Sequence, residues 1–158
     1  MNTIRIGHIT DLHLRYHTPG SSLKHKNRSR DMIGILKKAL QRMKISCVDL
    51  LVLTGDIVDT PQITRNGNDY YMDLLTPFRE MVKKDYQLIR KLLDQSGIPW
   101  MILPGNCDVY DLFNEVFGDQ MPVKDIKGFR IVSFSDRQWD EKLPRRVDRE
   151  RRLMEKTL

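Results

Sequence analysis

Asp11-Leu12-His13 places a carboxylate and an imidazole two residues apart. Gly55-Asp56-Ile57-Val58-Asp59 adds two carboxylates, and Gly105-Asn106-Cys107-Asp108 adds an amide, a thiol and another carboxylate. Carboxylate oxygens and neutral imidazole suit divalent ions of the Mn, Fe and Zn group. On an extended segment, side chains two apart share a face, so Asp11 and His13 are expected to point the same way. Gly55 and Gly105 are expected to let the chain turn sharply and aim the next residue into a site. A carboxylate in the middle, Asp56, can bridge two metals about 3.5 to 4 Å apart, as in two-metal hydrolases. Taken singly, Gly-Asp and Gly-Asn are ordinary turn dipeptides. The ordered set of all three segments is what points to metal chemistry.

The elements that must position these residues follow from the hydrophobic pattern. Residues 4–10 alternate like a strand, and Leu50-Leu51-Val52-Leu53 is a continuous apolar run of the kind buried on both faces of a parallel sheet. Trp100 to Leu103 reads as a third strand and 129–134 as a fourth. Between them, 29–44 has helical spacing, with Ser29 as the expected N-cap. The stretch 70–95 is mostly helical, with a break expected at Pro77, Thr76 capping a second helix, and Phe78, Met81, Leu88, Ile89, Leu92 and Leu93 as its apolar face. Gly97 should close that helix. Short helices are expected over 111–117 and 148–158. Strands alternating with helices imply an α/β fold with a partly parallel sheet flanked by helices. In such sheets ligands bind beyond the carboxyl ends of the strands, where all three segments fall.

With 40% hydrophobic and 30% charged residues, the 158-residue chain reads as one globular domain, 1–158. No apolar run approaches the roughly 18 residues that would suggest a membrane span, and the first residues lack a signal-peptide core. Cys47 and Cys107 form no zinc-finger or CxxC spacing. The cytoplasm is therefore the expected compartment. The net charge is +6, and residues 15–44 carry nine Lys or Arg against Asp31 alone. Such a face is either simply solvated or a lure for phosphates and nucleic acid.

The segments ITDLH, LTGDIVD and LPGNCD resemble the DxH, GDxxD and GNH[DE] motifs of the calcineurin-like metallophosphoesterase superfamily. The resemblance covers nearly the whole chain and implies the first half of that superfamily's four-layer α/β/β/α fold. It implies hydrolysis of phosphate mono- or diesters at a dinuclear centre of divalent metal, Mn, Fe or Zn. Asp11, His13 and Asp56 would bind the first metal, Asp56 would bridge, and Asn106 would bind the second. Asp59 would orient ligands by hydrogen bonds. Cys107 and Asp108 occupy the place of the family's catalytic His–acid pair. The stretch from Phe113 through Ser133-Phe134-Ser135-Asp136 is similar to small members, including cyclic-nucleotide phosphodiesterase-like proteins. The loop 59–71 would line the substrate's approach, and Tyr70 and Tyr71 either stack on a base or pack at a helix start.

Two departures from the family pattern bear on activity. Cys107 replaces a histidine, and a thiol is a poorer proton donor at that place. The family's later histidine ligands have no counterpart, since the four histidines lie at 8, 13, 17 and 25. His8 is expected to pack under the sheet, and His17 and His25 lie in the basic loop. The chain thus reads as a domain truncated at its C-terminal end, holding one metal or fewer tightly. Whether it is an enzyme stays open. The alternatives are a non-catalytic phosphoesterase-like binding module and a basic nucleic-acid-binding protein. Self-association through an exposed sheet edge is a further expectation.

Overall fold

The computed structural model describes residues 2–19, 28–60, 72–120, 122–135, 137–139, 143–145 and 148–157. Its centre is a three-stranded parallel sheet in the order β1 (Ile6–Thr10), β2 (Leu50–Thr54), β3 (Trp100–Leu103). Helix α1 (Met32–Ile45) joins the first two strands and α2 (Met72–Ser96) the last two. Helix α3 (Tyr110–Phe117) follows, then the antiparallel hairpin β4 (Val123–Ile126) and β5 (Phe129–Val132). A second small hairpin, β6 (Arg137–Trp139) with β7 (Leu143–Arg145), precedes α4 (Asp148–Thr157). Among the described residues no helix is long and apolar enough to cross a membrane.

One face of the sheet carries Leu51, Leu53, Trp100 and Ile102, all buried in a single cluster with Leu36 and Leu40 of α1 and Val82, Ile89 and Leu93 of α2. Each such side chain contributes about 1.5–3 kcal/mol by leaving water. Tyr86 stacks edge-on against Phe113 and Phe117, which ties α2 to α3. The opposite face is open at β1. Ile6 is 51% exposed there, and His8 is exposed with its Nε2 2.6 Å from Thr54 Oγ1. The expectation that His8 packs under the sheet is corrected accordingly. Period-two alternation puts His8 on the face away from the helices, since Gly7 and Ile9 take the inner one.

Other local expectations need similar correction. Ser29 does not cap α1; Asp31 sits at that position without a side-chain cap bond, and Ser29 Oγ instead donates to Asp59 Oδ2 at 3.1 Å. Pro77 does not divide the helix, which runs unbroken through it. Pro77 is only the sixth helical residue, so its missing N–H forfeits a single bond near the end. The buried stripe of α2 centres on Val82, Asp85, Tyr86, Ile89 and Leu93. An apolar count misplaces it because one member is a charge. Gly97 does close the helix, at φ +70°. The expected strand 129–134 is half of a hairpin whose Lys127-Gly128 turn takes two positive φ angles.

Candidate metal centre

Beyond β1 and β2 the two chains keep running side by side. Asp11 N–H donates to Gly55 O (3.3 Å), His13 N–H to Asp56 O (2.8 Å) and Leu14 N–H to Ile57 O (3.1 Å). Leu12 and Leu14 alternate with Asp11 and His13, Ile57 and Val58 follow Asp56, and all four are buried in the core. They anchor both loops from beneath; the Asp11 side chain stays largely exposed (63%), while those of His13 (27%) and Asp56 (15%) are mostly covered.

These three residues share a strained backbone. Asp11, His13 and Asp56 have φ of 52°, 44° and 48°. Left-handed conformation at a non-glycine residue is uncommon and costs about 1–3 kcal/mol, and it clusters where function over-determines the backbone. Asp11 and His13 are thus brought together by two left-handed residues on either side of Leu12, not by the alternation of an extended strand. His13 Nε2 lies 3.5 Å from Asp56 Oδ2 and 3.9 Å from Asp11 Oδ1. Asp11 is also approached by the Thr10 hydroxyl, 2.6 Å from Oδ2.

The third segment closes over Asp56. Cys107 N–H donates to Asp56 Oδ1 at 2.9 Å, which leaves Oδ2 turned toward His13. A Cβ on Gly105 would stand 2.3 Å from both the backbone N and Oδ1 of Asp56. Gly105 is therefore required by close approach, whereas Gly55 is required by its φ of +74°. Asn106 is exposed, with Nδ2 3.8 Å from Cys107 Sγ.

Asp108 is buried, and it is occupied. Its two oxygens accept the amides of Ile57 and Val58 (3.1 Å each) and Gly105 (2.7 Å), and the Tyr86 hydroxyl (2.9 Å). Burial raises its pKa, against the lowering effect of these bonds. The Tyr86 hydroxyl in turn accepts Val109 N–H at 3.0 Å. Asp108 therefore clamps the loops after β2 and β3 together, and it does not cap α3, whose N-cap is Val109. Asp59 is likewise engaged away from the ligand group. Its Oδ2 pairs with Arg15 Nε (3.0 Å) and Ser29 Oγ.

Sequence reasoning missed a second buried carboxylate. Asp85 of α2 accepts Tyr16 N–H (3.2 Å), His17 N–H (2.7 Å), Thr18 N–H (3.2 Å) and Thr18 Oγ1 (2.8 Å), with His17 Nδ1 at 2.8 Å. It holds the loop that follows the Asp11–His13 turn, and His17 is held there with it. A charge among apolar neighbours at helical spacing was the available signal. His25, Asp136, Tyr70, Tyr71 and residues 61–69 of the long loop lie outside the described residues.

The imidazole of His13 stands between the Asp56 carboxylate and the more exposed Asp11 carboxylate. His13, Asp56 and Cys107 place donor atoms within 4.8 Å of one another. This donor set fits a divalent ion of the Mn, Fe or Zn group.

Comparison with known proteins agrees with a divalent-metal site. The family model for calcineurin-like phosphoesterases matches residues 4–152. Among solved structures, a dimetal phosphatase from Danio rerio superposes with a TM-score of 0.50 at 17% identity, over 68% of this chain and 30% of that one. At such identity the likeness concerns the fold, a metallophosphatase α/β arrangement of which this chain spans under a third. No curated protein sequence matches the chain. With its three motif loops gathered at one sheet edge and the family model spanning nearly its whole length, the chain belongs to the calcineurin-like phosphoesterase family.

Proposed function

We propose that this chain holds a divalent metal ion through Asp11, His13 and Asp56 and presents it to the phosphoryl group of a phosphate ester. The observation that supports this most is the left-handed backbone shared by those three residues, a conformation that clusters at functional sites. When bound, such an ion lowers the pKa of water and neutralises charge on phosphoryl oxygens. The chain's own part is orientation. Cys107 N–H fixes one oxygen of Asp56 and frees the other. Asp108 holds the β2 and β3 loops in mutual register.

Among the described residues a second ion would draw on Asp56 and Asn106, and two protein donors fall short of the three or more typical of tight sites. We read the second position as weak and hydrolysis by this chain alone as slow. The test is turnover of an aryl phosphate monoester and diester with added Mn²⁺, in wild type and Asp56→Asn. Slow, metal-dependent turnover lost in the variant is expected. Equal turnover in both proteins would overturn the reading. A second reading, a nucleic-acid phosphodiester as substrate, is favoured by the exposed Arg30, Lys37, Lys38, Arg42 and Lys44. Binding of a DNA or RNA oligomer should then fall steeply with salt, and no binding at low salt would remove this reading.

A further inference from the structure

Cys107 lies in the ligand group and not merely beside it. We propose that its thiolate is a direct metal ligand, making the first site His13–Asp56–Cys107 with Asp11 at its open side, and biasing it toward thiophilic ions such as Zn²⁺ over Mn²⁺. The inference rests on the metal-holding reading above and deepens it.

The geometry carries the case. His13, Asp56 and Cys107 each offer one donor atom, all within 4.8 Å of one another. Donors around one tetrahedral zinc, at roughly 2.0–2.3 Å from the metal, stand roughly 3.3–3.8 Å apart. His13 Nε2 and Asp56 Oδ2 already have that spacing at 3.5 Å. The sulfur, within 4.8 Å of both, needs to close in by roughly 1–1.5 Å at most to reach that spacing, within the reach of a side-chain torsion.

The backbone of Cys107 is held for this task from several directions. Its N–H bonds Asp56, its carbonyl accepts the Thr60 hydroxyl, and the next residue is the buried Asp108 clamp. The same N–H bond ties Sγ and the free Asp56 oxygen into one unit, so both approach an ion together. His13 Nδ1 is buried without a hydrogen-bond partner among the described residues, which leaves Nε2 as the nitrogen facing the group. On ligation the thiol proton goes to solvent and sulfur donates a lone pair; nothing is oxidised. Thiolate ligands favour zinc-like ions, whereas Mn²⁺ prefers carboxylate, carbonyl and water.

Co²⁺ is the probe, because thiolate ligation gives a near-ultraviolet sulfur-to-cobalt charge-transfer band absent from O/N sites. The exposed Cys47 is first replaced, Cys47→Ser, so that Cys107 is the one thiol present. Titration of the full chain with Co²⁺ is expected to raise that band to saturation, and Cys107→Ser to abolish it while the weaker visible cobalt bands persist. Zn²⁺ affinity should fall in Cys107→Ser by at least the roughly 10–100-fold seen when even an outer hydrogen-bond partner of a metal ligand is lost. Mn²⁺ affinity should hold, which also reports that the variant is folded. Visible cobalt bands without charge transfer would overturn the thiolate ligand and leave the metal-holding reading standing. No cobalt uptake at all would overturn both.

Discussion

Replacing Asp108 tests how the site is held together. Its carboxylate accepts three backbone amides and one phenol, and both Ile57 and Val58 are fully buried. Asp108→Ala leaves all four donors without an acceptor. Each orphaned donor costs roughly 1–3 kcal/mol, less what relaxation and entering water recover. We expect a loss of about 4–5 kcal/mol, at the upper end for single substitutions and a large share of a small domain's stability. Asp108→Asn is the finer probe. Its carbonyl can keep Ile57, Val58 and Tyr86, while its NH₂ must face the Gly105 amide, donor against donor, where the wild-type distance is 2.7 Å. One bond is lost and one amide orphaned, for about 1–3 kcal/mol. Urea unfolding followed by far-UV circular dichroism, with chelator present, reads both variants, and unchanged slopes would show that the transition is the same. If alanine leaves the chain unfolded, asparagine carries the measurement. A cost below about 0.5 kcal/mol for asparagine, the scale of an ordinary surface change, would refute the clamp.

Gly105→Ala should cost about 2–3 kcal/mol by overpacking and weaken metal binding, because its Cβ would meet Asp56 N and Oδ1 at 2.3 Å; isothermal titration with Zn²⁺ checks the second effect. Asp85→Ala should destabilise by about 3–5 kcal/mol, as the loss of a buried charge with its donors left in place, yet leave the metal affinity of the folded chain intact. Tyr86 supplies a pH prediction. Burial first, then the nearby Asp108 charge, holds its phenol well above the ordinary value of 10.0. The folded chain therefore keeps a proton that the unfolded chain has lost above about pH 10, and stability must fall as pH rises past that point. Urea midpoints between about pH 9 and about pH 11 should drop in wild type and drop less in Tyr86→Phe.

How much was legible in the sequence depended on the kind of signal. The three parallel strands are plain because Leu50 to Leu53 and Trp100 to Leu103 are short apolar runs ending in glycine-bearing turns. The gathering of His13, Asp56 and Cys107, with Asp11 at its exposed side, follows from strand order, which puts all three loops at one edge. What was illegible was long-range pairing of buried charges. Asp85 and Asp108 each bind backbone amides far away in sequence, and nothing in their neighbourhoods marks those partners. The partners of Asp59, Arg15 and Ser29, were hidden for the same reason. His8 was misplaced because alternation fixes which residues share a face but not which face the helices cover. Pro77 was read as a break because the rule against interior proline weakens near a helix start.

The most direct test of the central claim is equilibrium dialysis of the chain against Zn²⁺ and Mn²⁺, in wild type and in Asp56→Asn. The account predicts one tightly held ion per chain, lost in the variant, with any second ion held only weakly. No bound ion in wild type, or two held tightly, would contradict it.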